Sequence, residues 1–216
     1  MKLVVDRISK SMGSMVVFAD LSFGVNDGDI ISVVGPSGSG KTTLLHILAS
    51  YDRPSSGTLV YDGQNITNCD GRALASYRSK VGFVHQELLL FGELSAMDNI
   101  LLPSIVRPND GVKGWIEEAT ALAAKLGVGG ILNRKAAVLS TGEKKRVEVV
   151  RALLRKPSVI IADEPTANLD EESSGFVIDS LLGVTRATGI PLLVSVHRDQ
   201  RLLNVAKKRI DLVDYK

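Results

Sequence analysis

The chain has little of what marks a secreted, membrane-spanning or nucleic-acid-coating protein. It carries one cysteine, Cys69, which excludes an intramolecular disulfide and leaves no thiolate cage for a metal, in keeping with a reducing cytosol. An excess of charge of one sign is nearly absent: Lys and Arg number 26 against 24 Asp and Glu, a net of +2, too slight to hold a nucleic acid by charge alone. No apolar run approaches the ~20 residues that cross a bilayer; Ile30–Val34 and Val159–Ala162 are strand-sized. The start, Met1-Lys2-Leu3-Val4-Val5-Asp6, meets an acidic residue too early for a signal peptide. There is no repeat, no low-complexity tract and no long Pro/Gly/Ser linker. What remains is 216 residues, 44% hydrophobic and 23% charged, the composition of a folded domain with a proper core. The expectation is a cytosolic protein that reaches a membrane only through a partner.

The pattern along the chain predicts an α/β fold. Residues 1–28 read as β-rich, with short apolar runs between the turn signals Met12-Gly13-Ser14 and Asn26-Asp27-Gly28. Ile30–Val34 reads as a strand buried on both faces, followed by a Gly-rich loop and a helix presenting Leu44, Ile47, Leu48 and Tyr51 on one face. Thr58–Tyr61 and Val81–Val84 read as strands. From Glu87 to Lys156 the pattern is mainly helical, clearest over Trp115–Leu126 and Lys144–Arg155. Val159–Ala162, Phe176–Val184 and Pro191–Val196 then alternate as strands or helices, which argues for a parallel sheet under helices. The expected division is a β-rich part at 1–28, a core at 29–86 and 157–216, and an inserted helical subdomain at 87–156.

Gly35-Pro36-Ser37-Gly38-Ser39-Gly40-Lys41-Thr42 fits G-x-x-x-x-G-K-[ST] between a strand and a helix, with Thr43 beside it. Glycines let successive N–H groups converge on phosphate oxygens, and the helix N-terminus adds partial positive charge. Lys41 can reach the β- and γ-phosphates and the Thr42 hydroxyl can ligate Mg²⁺. A strand ending in Asp163-Glu164 supplies the complement: Asp163 to hold Mg²⁺ through its water shell, and Glu164 to act on the attacking water. His197 and Gln86 sit at the ends of two more strands, the edge where parallel sheets bind ligands. That makes His197 a candidate γ-phosphate contact and Gln86 a candidate for metal or water. Ser140-x-x-Glu143 is a capping box opening the helix near Lys144–Arg155.

In this order the pieces resemble the ATP-binding cassette ATPases. They run from Walker A at 35–42 through Gln86, Leu139-Ser140-Thr141-Gly142-Glu143, Walker B at 159–163, Glu164 and Ala167-Asn168-Leu169-Asp170 to His197. The resemblance implies a P-loop NTPase fold with a mostly parallel core sheet, an N-terminal antiparallel β subdomain and an inserted helical subdomain. It also implies ATP and Mg²⁺ as ligands, a head-to-tail pair, more readily of identical chains than unequal ones, and an integral membrane permease as partner on the inner face of the membrane. Ser140 and Gly142 would contact the nucleotide held by the opposite protomer, Asp170 would lie across the seam, and Gln86 would begin a loop reporting to the membrane partner. The sequence around 52–57 and 164–170 looks most like the lipoprotein-releasing, macrolide-efflux and cell-division branch.

Two features depart from the family pattern. Thr141 and Glu143 stand where Gly and Gln are usual, so the signature side is expected to be weaker than the Walker side. No aromatic stands at 9–13 to stack on adenine, which puts base affinity and selectivity in question; Phe18 falls in a core run. Leu88–Phe91 reads either as packing or as part of a groove for a membrane subunit, and Lys144–Arg146 and Lys207–Arg209 as solvated helix faces. A regulatory module with little turnover is a second reading. A GTPase lacks its Asn-Lys-x-Asp segment, and a DNA-repair ATPase its long insertion.

Overall fold

In the computed structural model, which describes residues 2–106, 112–197 and 199–216, two sheets carry the architecture. β1 (Leu3–Met12) and β2 (Met15–Val25) form a hairpin across Gly13-Ser14. β4 (Ser56–Tyr61) and the short β5 (Gln64–Asn65) extend that sheet on the far side of β1, giving the antiparallel order β2-β1-β4-β5. The Thr58–Tyr61 run therefore pairs with the N-terminal hairpin and not with the parallel sheet. The second sheet contains β3 (Ile30–Val34), β6 (Val81–Val84), β7 (Val159–Ala162), β8 (Leu192–Ser195) and β9 (Lys208–Asp211) in the order β6-β7-β8-β3-β9, every pair parallel.

Helices cover both faces of the parallel sheet: α1 (Lys41–Leu48), α2 (Gly71–Arg78), α3 (Ala96–Leu101), α4 (Val112–Lys125), α5 (Thr141–Leu154), α6 (Glu171–Thr188) and α7 (Gln200–Val205). The strands alternate with period two. Ile31, Val33, Val159, Ile161 and Leu193 pack with α1 and the antiparallel sheet. Ile30, Val34, Ile160, Ala162, Leu192 and Val194 pack with α3, α4, α5 and α6. Each such Leu or Ile contributes about 1.5–3 kcal/mol by leaving water, so both covering layers are anchored to the central strands β3, β7 and β8. The Phe176–Val184 run lies inside α6, where Val177, Ile178, Leu181 and Leu182 form its buried face.

Three local expectations are corrected. α1 ends at Leu48 and Ser50 adopts a left-handed φ of 56°, so Tyr51 leaves the helix face and is 47% exposed, its ring stacked on His85 at 6.3 Å. Lys207–Arg209 is exposed as expected, but lies at β9 and not on a helix. Lys145, expected on a solvated face, is 1% exposed. Among the described residues, no helix is long and apolar enough to cross a membrane.

Candidate functional site

β6, β7, β8 and β3 are neighbours, and parallel pairing brings all four carboxyl ends to one edge. Just beyond them come His85-Gln86, Asp163-Glu164, Val196-His197 and Gly35. The loop after β3 turns through positive φ at Gly35 (149°), Gly38 (76°) and Gly40 (100°), values that favour glycine. Space demands glycine as well: a Cβ on Gly40 would lie 2.5 Å from Val17 Cγ1, and one on Gly35 2.5 Å from Ser39 Oγ. Gly40 is the N-cap of α1, and no side chain among the described residues caps that helix, so its end offers N–H groups and positive partial charge to an anion. Ser39 is 1% exposed and its hydroxyl has no hydrogen-bond partner among the described residues, as suits a loop built to surround oxygen atoms.

Lys41 opens α1 with its ammonium folded back: Nζ donates to the carbonyls of Gly35 (3.1 Å) and Pro36 (3.3 Å) and lies 3.4 Å from Glu164 Oε1. The other Glu164 oxygen accepts from Gln86 Nε2 at 3.3 Å. Glu164 itself is held at a left-handed φ of 38°, a conformation a non-glycine residue keeps only where its surroundings fix it. Its N–H donates to Ser195 Oγ at 2.7 Å, and the Ser195 hydroxyl donates to Asp163 Oδ1 at 2.6 Å. Ser195 thus links the two carboxylates: Asp163 stays buried at 2% exposure while Glu164 turns into the cleft.

Ser37, Gly38, Gly40, Lys41, Thr42, Thr43, Gln86, Glu164 and His197 line one cleft of about 450 Å³. Gly35, Pro36 and Ser39 complete its glycine loop. Ser140, Gly142 and Asp170 do not line it. Ser140 caps α5, accepting from the Glu143 N–H (3.2 Å) while its own N–H donates to the Glu143 carboxylate (2.7 Å), the expected capping box. That N–H is the first cause holding the Glu143 carboxyl below its ordinary pKa. Asp170 caps α6, accepting from the Ser173 N–H at 2.8 Å and its hydroxyl at 2.9 Å, bonds that lower its carboxyl pKa. Gly142 is buried where a Cβ would collide with Ser173 Oγ, so the starts of α5 and α6 are packed together.

Two contributors went unseen in the sequence. Ser195 reads as one more residue of an apolar strand; its place two residues before His197 was the available signal. Met12, Met15 and Val17 line the cleft beside the glycine loop. Their signal is position, since they flank the turn upstream of the loop, where a nucleotide base would stack.

A family profile described as "ABC transporter" matches residues 18–167. The ABC transporter ATP-binding protein YxdL of Bacillus subtilis is 36% identical over 194 residues, covering 89% of this chain and 75% of the relative. The lipoprotein-releasing system ATP-binding protein LolD of Syntrophus aciditrophicus is 37% identical over 199 residues, covering 92% and 88%. Among solved structures, a dimeric post-hydrolysis state of the ATP-binding cassette MJ0796 bound to ADP and Pi superposes with a TM-score of 0.83 at 27% identity, covering 97% of this chain and 93% of that one. The glycine loop, the paired carboxylates and the capped α5 thus occur together in a chain that belongs to the ABC transporter family, as one of its ATP-binding cassettes.

Proposed function

We propose that the chain hydrolyses MgATP through Lys41, Gln86, Glu164 and His197, works as a head-to-tail pair of identical chains, and drives an integral membrane permease from the cytoplasmic face. The observation that carries this is the sharing of Glu164 between Lys41 and Gln86 at the mouth of an uncapped, glycine-lined helix end. A γ-phosphate arriving at Lys41 takes over that cation and leaves Glu164 facing water. The water oxygen then attacks the γ-phosphorus, its proton passes to Glu164, the bond to the β–γ bridging oxygen breaks and ADP leaves. His197, exposed on the same cleft, contacts the γ-phosphate.

The donors present suit a hard divalent cation: the Thr42 hydroxyl, the Asp163 carboxylate and the Gln86 amide oxygen. Among the described residues no three His, Cys, Asp or Glu cluster to hold a metal by themselves, which fits an ion that enters with phosphate oxygens. Thr42, Gln86 and, through water, Asp163 would hold Mg²⁺, whose charge offsets that of the phosphates. Met12 and Met15 provide the apolar platform for the base; thioether sulfur makes favourable contacts with aromatic rings.

The relatives named for lipoprotein release support a place in the branch that performs mechanical work at the bilayer. Leu89 and Phe91, 48% and 62% exposed in the segment that follows Gln86, supply an apolar surface for the membrane partner, while Leu90 packs on the core. The test is Glu164→Gln. Steady-state turnover falls at least ~100-fold, the usual scale for a lost general base, while ATP affinity is retained and the chain dimerises with MgATP. Full turnover would refute the assignment.

A further inference from the structure

The residues just past β6 leave the sheet and enter no helix, so their backbone groups need partners elsewhere. Three side chains of α5 supply them. Lys145 Nζ donates to the carbonyls of His85 (2.5 Å) and Gln86 (3.3 Å). Glu148 Oε1 accepts from the His85 N–H at 3.2 Å. Arg151 Nη1 donates to the Leu89 carbonyl at 2.7 Å. The three also bind one another: Lys145 Nζ lies 3.0 Å from Glu148 Oε2, and Arg151 Nη2 lies 3.6 Å from Glu148 Oε1. Lys145 and Glu148 are 1% and 0% exposed.

A lysine and a glutamate are almost never fully buried without specific partners, and here those partners are each other and one short stretch of backbone. Spacing of three along α5 puts the three side chains on one stripe. Gly82 lets that helix approach, since a Cβ there would meet the Ala152 carbonyl oxygen at 2.8 Å. Burial pushes the Glu148 carboxyl above its ordinary pKa, with Lys145 and the His85 N–H pulling the other way.

We infer that Lys145, Glu148 and Arg151 are positioning residues for Gln86, a buried charged clamp that ties the helix opened by Ser140 to the loop whose glutamine meets Glu164. This rests on the reading of Gln86 as part of the hydrolytic site. Contacts then run from the clamp through the 85–86 backbone to Gln86, Glu164 and Lys41, and α5 itself carries the clamp residues and the cap on one helix. A nucleotide contact at the start of α5 and the state of Glu164 are thereby joined within one chain.

Removing one charge alone would leave the other buried, so the test uses paired variants of the full chain. Lys145→Met/Glu148→Leu removes both charges and the clamp; Lys145→Gln/Glu148→Gln keeps a donor and an acceptor. In nucleotide-free protein, amide exchange of residues 85–90 speeds up at least about tenfold in the apolar pair, while β7 and β8 keep their protection. With MgATP, kcat of the apolar pair falls about tenfold or more at little-changed KM, and the Gln pair restores most of it. Adding Gln86→Ala to the apolar pair costs about twofold or less beyond Gln86→Ala alone, because both act through one side chain. Unchanged exchange at 85–90, or additive losses, overturns the clamp. If Gln86→Ala by itself leaves kcat intact, the hydrolytic reading of Gln86 falls and takes the clamp with it; if Gln86→Ala is damaging and the apolar pair is not, the clamp alone falls.

Discussion

α1 and α5 both begin at sites assigned to a nucleotide, yet their first turns are built in opposite ways. α1 starts at a left-handed glycine with no capping side chain among the described residues, beside a buried serine hydroxyl that has no partner among them either. α5 starts with a closed capping box in which Ser140 and Glu143 satisfy each other's N–H groups. An uncapped helix end leaves its N–H groups open to an anion, as the phosphate site proposed at α1 requires. A capped end is stable alone, so α5 can wait exposed for a surface brought to it. Gly142 gives the same lesson: its missing side chain makes room for Ser173 of its own chain, leaving Ser140 and Thr141 as the exposed residues of that tip.

The contrast is sharpest at Gly40. Gly40→Ala forces a Cβ against Val17 at a φ of 100°, a strain of about 1–3 kcal/mol, and is expected to weaken ATP binding about tenfold or more by calorimetry; unchanged affinity would mean the loop tolerates what its geometry forbids. Ser140→Ala should behave differently. Loss of the cap costs about 1 kcal/mol and lowers Tm by about 2–4 °C, with ATP affinity of the isolated chain intact, whereas a loss of that affinity would erase the distinction between the two helix ends. Acid attacks the same cap. Because the Glu143 pKa is lowered in the fold, its contribution is present above the ordinary glutamate range and disappears as pH falls through the lowered value, so the Tm gap between wild type and Glu143→Ala should narrow there. The smallest effect is Thr141→Gly. Removing a β-branched side chain from the exposed tip should raise turnover about threefold, the equivalent of ~0.6 kcal/mol, and unchanged or lower turnover would show that Thr141 does not obstruct the second nucleotide contact.

Local chemistry was legible in the sequence and long-range pairing was not. The glycine loop, the Asp163-Glu164 strand end and the capping box each depend on residues within a few positions, and all three occur as read. Thr58–Tyr61 was recognisable as a strand, but its partner β1 lies some fifty residues earlier, and no local pattern distinguishes the two sheets. Lys145 looked like one of three consecutive basic residues on a surface. It is buried because Glu148 and two carbonyls of a distant loop accept its charge. Ser195 was hidden for a related reason: a small polar residue in an apolar run shows its purpose only when Asp163 and Glu164 arrive beside it.

The most direct test brings the two unlike helix ends together. Cys69 is replaced by Ser, and cysteines are introduced at Ser37 and Ser140, both exposed, in the Glu164→Gln background. Mild oxidation with MgATP should yield a disulfide between two chains that is absent with ADP or without nucleotide. If that cross-link never forms while ATP is bound, the exposed tip of α5 does not meet a partner's glycine loop, and the head-to-tail account is wrong.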